Sequence, residues 1–261
     1  MQFSVRYILL FSIAICGVCA VIVSSLAVGL KDQQEINEKR FKQRNVLEAA
    51  GLVAAGEKIT GERIEELFTT VEAVVVDLST GEEVMTGEEA VIFDQQKEKK
   101  DPATSTDAPS NNARVFRLPN RAQVFKLADD NGNIEKLILP IEGYGLWGTL
   151  YGFIAMSADL ETVEGITYYD HKETPGLGGE VDNPQWKALW PGRKAFGDDG
   201  SVEIEVIKGQ AGKPADDPYR VDGLAGATIT SRGVTNMLTF WLGDDAFGTY
   251  LEKFRDQRGA A

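Results

Sequence analysis

Residues 224–231 carry the clearest chemical signal in this sequence, because three small residues run directly into three hydroxyl-bearing ones. The small side chains let another molecule approach the backbone closely. Hydroxyls and free N–H groups at the start of a helix suit a phosphate group. An ordinary helix cap after a turn explains the same pattern, so both interpretations stay open locally. The small residues are Ala225, Gly226 and Ala227, and the hydroxyl-bearing ones are Thr228, Thr230 and Ser231.

A second candidate ligand-binding segment is the loop 171–180. Its Pro175 and three glycines are incompatible with regular secondary structure. Such a loop can lay its backbone amides against a planar ligand, with Leu177 as an apolar contact. A plain surface turn is the competing interpretation. Four flanking aromatic residues could form a cofactor pocket or simply core: Tyr168, Tyr169, Trp186 and Trp190.

Residues 143–148 match the G-x-G-x-x-G dinucleotide fingerprint, but the context argues against nucleotide binding. That fingerprint opens a helix, whereas the residues that follow at 149–154 predict a strand. Trp147 is also bulky for a loop that must touch a pyrophosphate. A glycine-rich turn between two strands is the better interpretation.

Composition excludes several classes of function. The formal net charge of −13 argues against a nucleic-acid partner. Both cysteines, Cys16 and Cys19, lie in an apolar segment, so the rest of the chain offers no disulfide, thiolate metal site or cysteine nucleophile. A single histidine, His171, makes a histidine zinc site or a Ser-His triad improbable, and we predict no metal site.

Residues 7–30 form an uncharged, mostly apolar run long enough to cross a bilayer as a helix. A cleaved signal peptide is the alternative, but its apolar region is normally shorter, so we interpret the run as a retained anchor. A stub at 1–6 precedes it, and a juxtamembrane helix is predicted for 31–55. One soluble domain is predicted for 56–261. Basic residues after the span favour a cytoplasmic domain, although large trailing domains often override that rule.

The soluble part predicts a single α+β domain. Helical spacing occurs at 61–68 and again after the hydroxyl cluster, in a helix expected to begin around Ser231. Residues 101–113 are rich in Pro, Ser, Thr and Asn and predict a flexible, solvated loop. Residues 129–133 carry a hairpin-turn signal. Strands are predicted at 73–78, 122–127, 134–141, 149–156, 163–169 and 202–207.

Four motifs occur in a consistent order: 146–148, 173–180, 222–228 and 240–244. Together they closely resemble the C-subunit family of the sodium-translocating NADH:quinone oxidoreductases. The resemblance runs from the anchor to the C-terminus and is weakest in the 101–113 segment. Four motifs in order are much more specific than any one of them.

This resemblance implies an FMN-binding domain behind a single transmembrane helix, with FMN joined covalently to Thr228 through a phosphoester. A flavin transferase installs it from FAD: the threonine hydroxyl attacks the pyrophosphate and AMP leaves. Asp222 matches the acidic residue that opens the flavinylation motif. Ala225 departs from the family, which usually has Ser or Thr there. The phosphate is then expected near the helix start, beside Gly226, Ala227, Thr230 and Ser231.

The same resemblance implies that the flavin ring is lined by the 171–180 loop. It implies a protein that relays electrons between partner subunits without oxidising NADH itself. The complex reduces ubiquinone and moves sodium outward across the bacterial inner membrane, with this domain in the periplasm. Residues expected to line the ring are Glu173, Thr174, Leu177 and Gly178, with Tyr144 and Trp147 nearby.

Two alternatives to this function stay open. One is the homologous flavin subunit of the ferredoxin-linked electron-transport complex, which shares the anchor and the threonine motif. Residues 173–180 and 240–243 favour the NADH:quinone system over it. The other is a non-redox anchored protein that binds a peptide or solute through its glycine-rich loops, and it predicts a colourless protein.

Overall fold

The computed structural model describes residues 4–129 and 131–259 of the chain. It divides into two compact units, Met1–Lys42 and Gln43–Ala261. The second unit holds the sheet, the core and every candidate site residue. Asp130, in the predicted hairpin turn, and Met1 to Phe3 of the predicted stub lie outside the described residues.

The first helix, α1, runs over Val5–Ala49 without interruption. Among the described residues it is the one helix long and apolar enough to cross a membrane, and its most apolar stretch is wholly exposed. The segment 7–30, predicted to be an anchor, lies within it. Length and composition therefore make α1 a candidate transmembrane helix that continues into the second unit.

Helix α1 ends at Ala49, short of the predicted end of the juxtamembrane helix. Gly51 adopts φ +76°, a left-handed conformation that terminates the helix. The Gly51 N–H donates to the Glu48 carbonyl at 3.0 Å, and the Leu52 N–H donates to the Leu47 carbonyl at 2.9 Å. These two bonds form a Schellman cap, which the alanine-rich pattern did not reveal.

The remaining elements alternate helices with a meander of antiparallel strands. The strands are β1 (Val71–Asp77), β2 (Glu82–Thr86), β3 (Ser105–Asp107), β4 (Arg117–Pro119), β5 (Arg121–Ala128), β6 (Ile134–Tyr144), β7 (Thr149–Ser157), β8 (Val163–Asp170), β9 (Glu205–Val206) and β10 (Arg220–Val221). The helices are α2 (Gly61–Phe68), α3 (Gly87–Ile92), α4 (Gln95–Lys100), a 3-10 helix (Gly178–Asp182), α5 (Pro184–Lys187), α6 (Thr228–Leu242) and α7 (Gly248–Gly259).

Six strands form the main sheet in the order β2-β1-β5-β6-β7-β8, and all neighbouring pairs are antiparallel. Two short pairs, β3 with β4 and β9 with β10, lie outside it. The sheet is buried on both faces, since a separate core cluster covers each of them. Alternate residues of a strand point to opposite faces and so join different clusters. In β1, for example, Val74 and Val76 join one core cluster, whereas Ala73 and Val75 join the other.

Different helices cover the two faces. One cluster packs α6 and α7 on the sheet, through residues such as Trp241 and Leu251. The other packs the end of α1 with α2 and α3, through residues such as Leu47 and Phe68. A mixed helix and sheet domain behind a long apolar helix confirms the predicted α+β class.

The structure also changes two predicted segments. Residues 101–113 contain β3, and Ala113 is fully buried, so the segment is not structureless. It is held because the Ser105 backbone pairs with Pro119. The strand predicted at 202–207 shrinks to β9, a two-residue strand paired in parallel with β10. Val202 and Ile204 contact the core from outside β9.

Candidate functional site

Helix α6 begins at Thr228, three residues before the predicted start at Ser231. The Ser231 N–H already donates to the Ala227 carbonyl at 2.9 Å, so the helical ladder starts earlier than the apolar pattern indicates. Gly226 precedes this turn at φ +71°, a conformation that glycine adopts without steric cost. Thr228 is therefore the first helical residue, and it is exposed.

The three hydroxyls of the cluster have different surroundings. The buried Ser231 hydroxyl accepts from the Leu224 N–H at 3.0 Å and donates to the Ala227 carbonyl at 3.1 Å. The Thr230 hydroxyl is fully buried and donates to a carboxylate oxygen of Glu173 at 2.5 Å. Thr228 is the exposed residue of the three. Ser231 thus caps the turn, and Thr228 is free for chemistry.

Glu173 joins three segments that are distant in sequence. Its Oε1 accepts the N–H groups of Leu146 and Trp147 at 3.0 and 2.9 Å. Its Oε2 accepts the Thr230 hydroxyl. The side chain is only 5% exposed. The Glu173 carboxylate thus ties the 171–180 loop to the β6–β7 turn and to the start of α6, and its role in lining a ligand stays a prediction.

Glycines allow these segments to approach one another. A Cβ atom on Gly145 would lie 2.6 Å from Glu173 Oε1, and one on Gly178 would lie 2.6 Å from Thr230 Oγ1. A Cβ on Gly226 would lie 2.9 Å from Leu177 Cδ2, so the Leu177 side chain packs directly on that glycine. Gly145 and Gly178, which composition assigned to a turn and a loop, are therefore also points of close packing, and Gly226 is favoured by its left-handed φ.

A cavity of about 760 Å³ opens beside Thr228. It lies between α6, β9 and the turn that precedes α6, and its walls mix backbone with charged side chains. Lys208 and Arg232 bring positive charge to it, and Glu205 and Asp222 bring negative charge. Sequence reasoning missed the two cations because neither belongs to a motif. Lining residues include Thr228, Asp222, Gly226, Lys208 and Arg232.

Apolar side chains are exposed on the same segments. Trp147 is 63% exposed, Ile229 is 55% exposed and Leu177 is 44% exposed. Large side chains of this kind are normally covered, and an exposed group of them marks a binding surface. Leu146, next to Trp147, is exposed as well.

The other predicted site residues support the backbone around the cavity. Asp222 accepts the Ala211 N–H through its carboxylate at 2.9 Å, and its carbonyl accepts the Trp186 indole N–H at 2.8 Å. Thr174 is exposed, and its carbonyl accepts N–H groups from within the 171–180 loop. Tyr144 is half-buried at the end of β6, with the Arg114 guanidinium 5.1 Å from its ring centre.

The flanking aromatic residues are mainly core. Trp186 and Trp190 stack edge to face, and both belong to the core on the α6 side of the sheet. Tyr168 is buried there too, and burial, followed by the Asp182 carboxylate, raises the pKa of its hydroxyl. Tyr169 packs on the opposite face against Phe153. These four residues therefore do not form the ligand surface beside Thr228.

Comparison with known proteins gives one consistent result. The family described as FMN-binding domain matches residues 145–243, which include the Glu173 loop and most of α6. The C subunit of a Na(+)-translocating NADH-quinone reductase from Yersinia pestis is 42% identical over 256 residues, covering 97% of this chain and 94% of that protein. Its counterpart from Pseudomonas aeruginosa is 43% identical over 258 residues, covering 97% of each.

This chain belongs to the family of C subunits of the Na(+)-translocating NADH-quinone reductases.

Solved structures agree with this assignment. The crystal structure of Shewanella oneidensis NqrC has a TM-score of 0.77 at 33% identity and covers 84% of this chain and 99% of that one. The crystal structure of the corresponding C subunit from Parabacteroides distasonis has a TM-score of 0.65 at 27% identity and covers 85% of this chain and 96% of that one. The fold described above is therefore that of the C subunits.

The residues around Thr228 fit the group that the family implies. FMN has an anionic phosphate and a planar, largely apolar ring. The N–H groups at the first turn of α6 suit the phosphate, as do Lys208 and Arg232. The exposed Trp147 and Leu177 suit the ring. FMN binding by this domain is consistent with this chemistry.

Proposed function

We propose that Thr228 carries FMN through a phosphoester and that the chain relays electrons between other subunits of a sodium-translocating NADH:quinone reductase. That complex oxidises NADH on another subunit, reduces ubiquinone and moves sodium outward. The observation that carries the proposal is the exposed Thr228 hydroxyl, at the first position of α6 and at the edge of a cavity of about 760 Å³. The family membership supports it.

The attachment reaction needs a hydroxyl that a transferase can reach. In it, Thr228 Oγ1 attacks the flavin-side phosphorus of FAD and loses its proton, and the bond to the AMP oxygen breaks. Ala225 and Gly226 are exposed and carry almost no side chain, so they leave room for the bulky donor. The buried Thr230 and Ser231 hydroxyls are already engaged in hydrogen bonds, which restricts the reaction to Thr228.

The chain then positions the bound group, while FMN itself supplies the redox chemistry. The first-turn N–H groups of α6 precede the Ser231 to Ala227 bond, so they have no acceptor within the helix and can donate to the phosphate. Leu177, held against Gly226, and Trp147, held by Glu173, offer fixed apolar surfaces to the ring. In this arrangement Glu173 and Gly178 lie beneath that surface and support it.

A mass measurement tests the attachment. The full chain is expressed with and without a flavin transferase, and its Thr228 peptide is weighed. We expect a gain of one FMN with the transferase, retained in Thr228→Ser and lost in Thr228→Val. The matched control is Thr239→Val, an exposed threonine on the same helix, which should stay flavinylated. An unmodified, colourless protein in both samples contradicts the proposal and favours an anchored binding protein.

We also propose that the soluble domain lies on the periplasmic side of the bacterial inner membrane, held by α1. The family resemblance supports this side, against the count of basic residues that follow the apolar segment. Protease added to intact spheroplasts should then remove the domain while leaving a cytoplasmic marker whole. Digestion only after lysis would place the domain in the cytoplasm.

A further inference from the structure

Lys187 is a buried cation that joins two distant parts of the fold. It lies at the end of α5, and its ammonium group is 2.5 Å from Glu48 in the last turn of α1. Both side chains are only 9% exposed. Arg44 also faces Glu48, at 4.0 Å. Burying an ammonium group is costly unless it is paired, so this contact must be kept in the folded state.

A chain of contacts leads from the same ammonium group toward the Thr228 site. Lys187 Nζ is 3.4 Å from Asp182 Oδ1, and Asp182 Oδ2 is 3.6 Å from Nε2 of His171. His171 Nδ1 in turn accepts the N–H of Glu173 at 3.2 Å. Because Nδ1 is the acceptor, the ring proton of the neutral imidazole is on Nε2 and faces Asp182.

A second connection reinforces this chain of contacts. Asn183 caps α5 by accepting the Gln185 N–H at 2.9 Å, and its amide donates to Glu180 Oε2 at 2.6 Å. Glu180 Oε1 accepts the Gly176 N–H at 3.1 Å, inside the 171–180 loop. The short helix that carries Lys187 is thus bonded to both ends of the loop.

We propose that Lys187 and Asp182 are positioning residues for the Thr228 site, acting through His171 and Glu173. This role rests on the proposed function, because it assumes that the Glu173 loop flanks the flavin. The contacts hold Glu173 at the angle from which its carboxylate binds the Leu146 and Trp147 N–H groups. They also tie that geometry to the last turn of α1, through Glu48.

The proposal gives the two residues separable effects. Asp182 is about half exposed, so Asp182→Ala leaves the Lys187 to Glu48 pair intact and removes the acceptor that faces His171. Replacing Lys187 by Met removes its contacts with Glu48 and with Asp182. The buried Glu48 carboxylate then keeps its contact with Arg44. A purely structural pair would affect global stability without changing the amides of the β6–β7 turn.

Amide hydrogen exchange on the full chain in detergent, expressed without the transferase, tests this directly. We expect Asp182→Ala and Lys187→Met to speed exchange at Leu146 and Trp147 roughly ten-fold, because their acceptor is no longer held in place. The matched control is Lys126→Met. Lys126 pairs with Glu83 at 2.5 Å and is 11% exposed, on the strand β5. It should leave the exchange at both amides unchanged.

A second measurement uses the flavinylated chain. Asp182→Ala should shift the midpoint potential and the fluorescence of the flavin relative to Lys126→Met. If Asp182→Ala leaves both the exchange and the flavin signals at wild-type values, the positioning role is wrong, even where Lys187→Met fails to fold. If the wild-type chain takes up no flavin, the proposed function fails, and the exchange measurement alone decides whether the contacts position Glu173.

Discussion

Glu173 and Thr230 form a buried hydrogen bond of 2.5 Å, although they lie 57 residues apart in sequence. Glu173 is 5% exposed and Thr230 is fully buried. The bond fixes the start of α6 relative to the loop that carries Leu177. Since Thr228 and Thr230 belong to the same helical turn, the bond also fixes the backbone from which the Thr228 side chain projects.

Replacing Glu173 by Ala should destabilise the protein more than replacing it by Gln. Glu173→Ala leaves two partly buried N–H groups and one buried hydroxyl without an acceptor, which should cost about 3 kcal/mol. Glu173→Gln can still accept the two N–H groups through Oε1 and donate to Thr230, so it should cost below about 1.5 kcal/mol. Chemical denaturation and the flavinylated fraction measure both. Equal losses in the two variants would contradict the hydrogen-bond role.

Gly226→Ala should impair flavinylation beyond its effect on stability. Its φ of +71° costs any other residue about 1 kcal/mol, and a Cβ there would also push against Leu177. Gly87→Ala is the matched control, because Gly87 has φ +69° and open space around its Cβ position. Both variants should lose similar stability, and Gly226→Ala alone should slow flavin uptake in a mass-spectrometric time course. Equal uptake would show that the Leu177 contact is unimportant.

Periodicity predicted most of the main sheet. The apolar and β-branched run at 73–78 became β1, and the strand signals from 122 to 169 became β5 to β8, because each of those strands is buried on one or both faces. The helix Gly61–Phe68 was predicted at its observed limits. These features depend on residues that are close in sequence, so the periodicity of the sequence predicts them.

Long-range contacts could not be predicted in the same way. The hydrogen-bond partners of Glu173 lie on segments 26 and 57 residues away, which no local pattern encodes. The strand predicted at 202–207 is limited in the same way by a distant partner, because β9 pairs with β10 over only two residues. Lys208 and Arg232 lie together in the cavity wall only because the fold brings their segments close to each other. The sequence pattern itself marked the hydroxyl cluster at 228–231 through its small neighbours, and the family resemblance singled out Thr228 within it.

Stability should fall in acid partly through Asp77. Hydrogen bonding from the Ser79 hydroxyl, 2.6 Å away, is the main cause that lowers the Asp77 pKa below its ordinary 3.8, assisted by the Thr80 and Ser79 N–H groups and opposed by partial burial. A lowered folded pKa stabilises the protein above the unfolded value and loses that stabilisation as pH falls through the folded one. The loss should therefore occur below about pH 4.

Ser79→Ala should raise the Asp77 pKa toward its ordinary value and flatten this part of the acid response. The free energy of unfolding, measured at a series of pH values between about 5 and 2, should depend less steeply on pH than in the wild type. Ser201→Ala provides an independent repeat, because the Ser201 hydroxyl lowers the Asp199 pKa in the same way. Unchanged steepness in both variants would contradict the assignment.

The alanine at position 225 should not prevent attachment of FMN. Ala225 is exposed beside the left-handed Gly226, and its side chain makes no contribution to the buried hydrogen bonds that fix Thr230 and Ser231. A serine there adds a hydroxyl to solvent without altering the turn. Ala225→Ser should therefore reach the same flavinylated fraction as the wild type, with a rate within about three-fold, a difference below about 1 kcal/mol. Thr228→Val in the Ala225→Ser background is the control, and it should stay unmodified. Efficient flavinylation of Ala225→Ser together with an unmodified wild type would instead show that the transferase reads a hydroxyl at 225.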